Sequence, residues 1–260
     1  MDRSFLSDAA VVDASRNFVC IRLATYEDQA EADFMTSLYV GRSRQLENTT
    51  FAILSPDGKR KLTTAGRGPF HAFRQATSMA SGMNRIAAEH SSGKNTALTD
   101  IHLPLMKNLD LALNVAAADG LPLQVTVGDD RQQLDELNQK LVRTAWDADF
   151  AGQFVYASVN NRQELKPVTG VKDNRQILVI EPGPFGLSGK VVAQFASGEN
   201  QKSIAATLHE VVKNLPRKEK GHDPHVRLGI QLGISWQSQI PETDPMSLHA
   251  KQRVRGREAR

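Results

Sequence analysis

The chain has 260 residues, of which 40% are hydrophobic and 23% charged, a composition typical of a globular protein that forms one large or two modest domains. No stretch approaches the roughly 20 consecutive apolar residues of a membrane-spanning helix, and no signal peptide is visible at the N-terminus. The formal net charge of +3 is concentrated in residues 251–260, which hold five basic residues and one acidic residue. Because the other residues are close to neutral together, the charge does not by itself indicate a nucleic-acid-binding protein.

The first strand and the first long helix are predicted near the N-terminus. Apolar residues follow one another almost without interruption at 17–24, which is typical of a strand covered on both faces. Ala30, Phe34 and Leu38 then recur four residues apart, so that a helix is expected over residues 26–38.

A hairpin and a further helix are predicted next. The apolar residues 51–54 run into Ser55-Pro56-Asp57-Gly58, a strong turn signal because proline presets φ and glycine accepts positive φ. Residues 59–64 are expected to return antiparallel to them. Pro69 then introduces a helix whose apolar residues recur at spacings of three and four. The first half is therefore interpreted as an α/β unit.

The second half repeats this order of elements. Its predicted strands are 121–127, 153–159, 176–181 and 190–195, and its predicted helices are 131–146 and 203–215. A connecting helix is expected within residues 100–118. The shared order, rather than close residue identity, favours a duplicated fold.

The predicted domain boundaries follow from these patterns. Residues 1–92 form the first domain, and residues 93–118 contain a polar linker and the connecting helix. Residues 119–215 form the second domain. In residues 216–260 apolar residues are sparse and prolines interrupt, so an irregular basic C-terminal tail is expected there.

Two segments carry a resemblance to a known family. Ser4-Phe5-Leu6-Ser7-Asp8, followed by Asn17-Phe18-Val19-Cys20-Ile21-Arg22-Leu23, resembles the stretch after the active site in thioredoxin-like proteins of the disulfide-reductase type. Phe51-Ala52-Ile53-Leu54-Ser55-Pro56-Asp57-Gly58-Lys59 is similar to the strand and Asp-Gly-Lys hairpin of that family. The resemblance covers about residues 1–66. It implies an α/β protein of tandem thioredoxin-like domains, the first lacking its N-terminal strand and CxxC turn.

The departures from the family concern its chemistry. Thioredoxin exchange requires a low-pKa thiolate at a helix N-terminus and a second cysteine that resolves the mixed disulfide. In this alignment both cysteines would lie upstream of Met1, and the position of the family's cis-proline falls near Thr49, where no proline is found. The second unit contains no cysteine and no proline immediately before Ile177.

Three functions are compatible with this sequence. The first is a thioredoxin-like protein without catalytic cysteines, a binding or accessory module related to thiol–disulfide handling that acts on protein partners. The second is a truncated thiol–disulfide oxidoreductase whose CxxC lies upstream of Met1. The chain is an enzyme only in that second case. A weaker alternative is a nucleic-acid-associated protein that uses the basic tail. The location is expected to be cytoplasmic as the sequence stands, and periplasmic or secreted if an upstream signal peptide has been lost.

Individual site candidates are few. Cys20, the single cysteine, is a weak redox candidate and is expected to be a buried structural thiol within the first strand. His222 and His225 are weak metal-ligand candidates, for which solvated loop histidines are the favoured interpretation. No catalytic, cofactor-binding or metal site is therefore assigned, and no cofactor is expected.

Two further patterns are interpreted as structural. Arg60, Lys61 and Arg67, together with the arginines at 42 and 44, are expected to form a solvated basic surface. The glycine-rich segment 183–189 lacks the Lys-Ser/Thr of a phosphate-binding loop, so a wide hairpin turn is expected there.

Overall fold

The structure is a computed structural model that describes residues 4–42, 44–47, 49–90, 102–215, 222–234, 238–245, 248, 249 and 252. The chain divides into two compact units. The first unit comprises Met1–Thr96 together with Trp236–Arg260, and the second unit comprises Ala97–Ser235. Both ends of the sequence therefore belong to the first unit. No helix in the described ranges is long and apolar enough to span a membrane.

The regular structure described in the first unit is helical. Its helices are α1 (Ala9–Ser15), α2 (Gln29–Leu38), α3 (Phe70–Phe73) and α4 (Ala76–His90). The Asp8 carboxylate caps α1 by accepting a hydrogen bond from Ala10 N at 3.0 Å, and Asp28 caps α2 through Glu31 N at 3.1 Å. The buried core of the unit consists of Val11, Ala14, Ile53, Met79, Ala80, Met83 and Ile86.

The prediction of a strand at residues 17–24 is wrong. These residues form neither helix nor strand, and the side chains of Val19 and Ile21 are 64% and 73% exposed. A strand requires a neighbouring strand for its backbone hydrogen bonds, and none of the described segments pairs with this one in a sheet. An apolar run is therefore not sufficient for burial here.

The predicted hairpin at residues 51–64 is present as isolated antiparallel bridges instead of two continuous strands. The bridges join Leu54 to Lys61 and Phe51 to Gly66. Gly58 has a φ of 70°, and the Asp57 carboxylate accepts a hydrogen bond from Lys59 N at 3.1 Å. The turn chemistry expected from this sequence is thus confirmed.

The helix expected after Pro69 is interrupted. α3 ends at Phe73, Arg74 has a φ of 60°, and α4 begins at Ala76. The ring of Phe73 packs edge-on against Phe51, with the ring centroids 6.1 Å apart. The apolar face predicted for this region is buried on α4, through Met79, Ala80, Met83 and Ile86.

The second unit contains a mixed five-stranded sheet. Its strands are β1 (Leu123–Val127), β2 (Val155–Val159), β3 (Val168–Thr169), β4 (Ile177–Pro182) and β5 (Gly189–Phe195), in the order β2-β1-β4-β5-β3. β1 is parallel to β2 and antiparallel to β4, and β5 is antiparallel to β4 and parallel to β3. Beyond β2, Leu105 forms a parallel bridge to Tyr156.

Helices cover both faces of this sheet. They are α5 (Leu109–Asp119), α6 (Arg131–Ala145) and α7 (Gln201–Asn214). A further helix of this unit is α8 (His222–Gln231). Leu178 and Ile180 of β4 belong to the cluster formed with α5, whereas Ile177 and Val179 belong to the cluster formed with α6 and α7. This alternation is expected because successive strand residues point to opposite faces. The strands and helices predicted between residues 121 and 215 are confirmed, with bounds shifted by a few residues.

The fold is therefore a mixed α/β structure with one five-stranded mixed sheet, which lies in the second unit. In the described part of the first unit no β-strand is found, so a tandem pair of similar domains is not shown. The predicted connecting helix is α5, and it packs within the second unit. Residues 222–231 of the segment expected to be irregular form α8.

Candidate functional site

The single cysteine does not lie in the environment predicted for it. Cys20 is exposed, because the segment around it does not join a sheet. Atoms near its sulfur still exclude part of the solvent, and this desolvation raises the pKa of the Cys20 thiol. The expectation of a buried structural thiol is therefore wrong. With one cysteine in the sequence, an intrachain disulfide cannot form.

The candidate site of the second unit is the edge of its sheet at which β1 and β2 end, called here the carboxyl edge. Because β1 and β2 are parallel, Val127 and Val159 lie at the same edge, and Gly128 N donates a hydrogen bond to Val159 O at 3.1 Å. The chain then passes through Asp129 and Asp130 directly into α6. In α/β sheets, the edge at the carboxyl ends of parallel strands is where ligands bind.

The N-terminus of α6 is held in place by its own side chains. Asp130 is the N-cap, and its carboxylate accepts a hydrogen bond from Gln133 N at 2.8 Å. The Gln133 side chain in turn accepts one from Asp129 N at 2.7 Å. A helix N-terminus stabilises negative charge, which is why reactive thiolates are found at such positions. Here the position is filled by a carboxylate.

A group of three polar side chains joins α6 to the two parallel strands. Thr126 Oγ1 lies 2.8 Å from Asn138 Oδ1 and 2.8 Å from Ser158 Oγ, and Ser158 Oγ lies 3.2 Å from Asn138 Oδ1. An amide oxygen accepts hydrogen bonds but is not a base, so Asn138 does not activate either hydroxyl as a nucleophile. The group therefore fixes the position of α6. The sequence signal was a polar residue inside each apolar strand, which the predictions did not use.

The loop before β4 completes the carboxyl edge. Val127 N donates to Gln176 O at 2.7 Å, which places this loop beside the end of β1. Arg162 Nη2 donates to Arg175 O at 3.0 Å. The Nε of Arg175 is buried without a hydrogen-bond partner in the described part of the chain. A buried guanidinium N–H requires an acceptor, so this loop presents an unused donor.

The histidine pair predicted as a weak metal candidate is not brought into a described site. The backbone of His222 and His225 lies in α8, but their side chains lie outside the described residues. Within the described ranges, no group of three or more His, Cys, Asp or Glu side chains is placed to hold a metal ion. The basic tail proposed as a nucleic-acid site, residues 251–260, also lies outside the described residues except for Gln252.

In the first unit, Arg67 is bound to two buried acids. Arg67 Nε lies 3.2 Å from Glu47 Oε2, and Arg67 Nη2 donates to Asp244 Oδ1 at 3.0 Å. Asp244 is fully buried, and the Glu47 side chain is almost fully buried. Arg67 is therefore not a free cation of a solvated basic surface: its side chain is 38% exposed, but its guanidinium is paired with two buried acids. No local pattern indicates this contact, because Asp244 is 177 residues away along the chain.

No protein-family model, curated protein or solved structure matches the chain significantly.

Proposed function

We propose that the second unit is a thioredoxin-like domain without thiol chemistry, and that it acts as a protein-binding module. The observation that carries this proposal is the connectivity of the sheet. β1, α6 and β2 form a parallel βαβ unit, and the antiparallel strands β4 and β5 with α7 follow it. The order β2-β1-β4-β5 is that of the thioredoxin fold, the family that the N-terminal segments resemble.

The position of α6 supports the same proposal. Its N-terminus lies at the carboxyl edge directly after β1, which is where thioredoxin-like enzymes place the first cysteine. Asp130 and Gln133 stand at the N-cap and the third helical position, the spacing of a CxxC pair. A carboxylate and an amide do not exchange two electrons with a disulfide, because that reaction proceeds through thiolate attack on sulfur.

The groups at the carboxyl edge suit non-covalent binding. The turn at Gly128 and the loop at Gln176 bring main-chain groups to this edge, and Arg175 adds a buried N–H that lacks an acceptor. A carbonyl or carboxylate oxygen of a protein partner would satisfy that donor once the loop before β4 moves to expose it. Protein partners are therefore favoured over a redox substrate.

The absence of redox activity is tested with the insulin-reduction assay. The 260-residue chain should give no turnover with dithiothreitol above the uncatalysed rate, because its single thiol has no resolving partner. Sustained turnover by purified wild-type protein would refute the redox-inactive assignment.

The fold assignment is tested by building the missing thiols. In a Cys20→Ser background, Asp130→Cys and Gln133→Cys place two thiols at the α6 N-terminus, where Gln133 N already donates to the side chain at 130. This variant should form an intrachain disulfide and acquire measurable insulin-reductase activity.

The matched control places the same spacing in the middle of the same helix. Glu136→Cys with Gln139→Cys, again in Cys20→Ser, lies on exposed positions of α6 away from the helix end. The control should show no thiolate stabilisation and no turnover. The assignment of the carboxyl edge would be contradicted if the two double-cysteine variants were equally active. It would also be contradicted if both were inactive and their thiol pKa values were both those of an ordinary cysteine.

A further inference from the structure

The first unit contains a short segment from a distant part of the chain that belongs to no β-strand. The segment is residues 238–245, Ser-Gln-Ile-Pro-Glu-Thr-Asp-Pro, called here the clasp peptide. It belongs to the first unit, although the whole of the second unit, Ala97–Ser235, lies between it and Met1–Thr96 along the chain. Most of its described polar contacts within the unit involve three of its residues, Ile240, Thr243 and Asp244.

Two of these contacts are made to main-chain carbonyl groups. Ile240 N donates to Tyr26 O at 2.9 Å, and the Thr243 hydroxyl donates to Leu46 O at 2.7 Å. The Ile240 contact uses the main chain of the peptide and does not depend on the side chain at that position. The Thr243 contact requires a side-chain hydroxyl and therefore contributes to selectivity.

The third contact supplies selectivity. The Asp244 carboxylate is fully buried and accepts a hydrogen bond from Arg67 Nη2, while Arg67 Nε lies against Glu47. Arginine is the residue most often used to recognise an acidic side chain in a peptide. Because Glu47 and Asp244 share one guanidinium, and because burial removes both acids from water, this ion pair gives specificity with little net stabilisation.

The segment also covers Tyr26. The Tyr26 hydroxyl is buried beside the backbone of Thr243 and Asp244. This side chain therefore adds to the surface that the first unit shares with the clasp peptide.

We propose that the first unit carries a binding site for a peptide with a Thr-Asp pair, formed by Tyr26 O, Leu46 O and Arg67, and that the clasp peptide occupies it as an intramolecular ligand. A partner with an equivalent acidic peptide competes with the clasp peptide for Arg67. This site is independent of the carboxyl edge of the second unit, so the inference goes beyond the proposed function and stands if that proposal fails.

The proposal is tested with a fluorescein-labelled synthetic peptide of residues 238–245 and the full-length chain. Asp244→Lys removes the buried acid and should release the clasp peptide, and the labelled peptide should then bind at least about ten-fold more tightly than to wild type, by fluorescence anisotropy. A peptide that carries lysine in place of its aspartate should bind neither protein. Asp33→Lys, a charge reversal at an exposed residue of the same unit, is the control and should behave as wild type.

A charge exchange separates recognition from a purely structural role. Arg67→Asp combined with Asp244→Lys should restore the intramolecular contact and should again exclude both peptides. Arg67→Asp alone should bind the lysine-containing peptide and not the native one. Binding of the native peptide to Arg67→Asp as tightly as to Asp244→Lys would overturn the proposal.

A second measurement decides the question if Asp244→Lys does not fold. In the wild-type chain, excess unlabelled peptide should accelerate hydrogen exchange at the Ile240 amide, because the competitor displaces the clasp peptide from Tyr26 O. The lysine-containing peptide should leave that exchange rate unchanged. An Ile240 exchange rate independent of native peptide up to millimolar concentration would refute a displaceable ligand.

Discussion

Gly186 is the position at which a single methyl group should most disturb the second unit. The residue lies in the short turn Pro184–Gly186 that packs on α5, and it has a φ of 70°. A Cβ at this position would lie 2.5 Å from the backbone N and Cα of Asn114 and from the carbonyl carbon of Leu113. Since these are backbone atoms of a helix, they do not move aside as a flexible side chain would.

Gly152 offers a matched comparison. It has a φ of 73°, and a Cβ added there would meet nothing within 4 Å. Alanine at either position adopts positive φ, at roughly 1–2 kcal/mol, whereas Gly186→Ala adds an overpacking penalty of about 1–3 kcal/mol. The shared backbone term cancels in the difference, so Gly186→Ala should be less stable than Gly152→Ala by about 1–3 kcal/mol.

Native-state hydrogen exchange at the amides of β1 and β4 measures the second unit alone. In the slowest-exchanging amides, this difference corresponds to exchange roughly 5- to 150-fold faster in Gly186→Ala than in Gly152→Ala. Equal exchange rates in the two variants would refute the reasoning, because they would show that the turn does not pack on α5 as described.

Three further predictions concern buried and exposed polar groups. Tyr156 is 3% exposed, its hydroxyl has no hydrogen-bond partner in the described part of the chain, and burial raises the pKa of this hydroxyl. Tyr156→Phe should therefore increase the free energy of unfolding of the second unit by about 1 kcal/mol, measured by urea unfolding. A decrease would show that the hydroxyl has a hydrogen-bond partner. The pKa of Tyr26 is raised above 10.0, first by burial and also by nearby carboxylates, so the folded chain keeps this proton where the unfolded chain loses it. The free energy of unfolding of the wild type should therefore fall as the pH rises above 10, and that of Tyr26→Phe should fall less. Identical pH profiles of the two proteins would contradict this prediction. Cys20 should react with Ellman's reagent in the native protein because it is exposed, and it should react more slowly at neutral pH than free cysteine because its pKa is raised. If it reacts only after denaturation, the thiol is buried and this prediction is wrong.

The elements of the second unit were predictable because their signals are local. The alternation and apolar runs at residues 123–127 and 177–182, and the spacing of Leu134, Leu137 and Leu141, each report on a few neighbouring residues. The sheet order was not predictable from those patterns alone, since it depends on which distant strands pair.

Residues 17–24 show the limit of the same reasoning. Their composition is that of a buried strand, yet burial depends on a partner strand that local patterns do not reveal. The ion pair between Arg67 and Asp244 is the extreme case, because neither residue has any local feature that distinguishes it from a solvated charge. Thr126 and Ser158, by contrast, were visible as polar residues within apolar strands.

The split of the first unit between the two ends of the sequence has a consequence during protein synthesis. At about 5–20 residues per second, the ribosome needs roughly 7–30 s to add the residues between 96 and 236. Throughout that interval the nascent N-terminal part lacks Asp244, so Arg67 and Glu47 cannot form their complete ion-pair group. The second unit, by contrast, is fully translated before Asp244 is added. Maturation of the first unit therefore waits until its second segment has been translated, and a nascent chain that has reached only residue 235 contains one complete unit out of two.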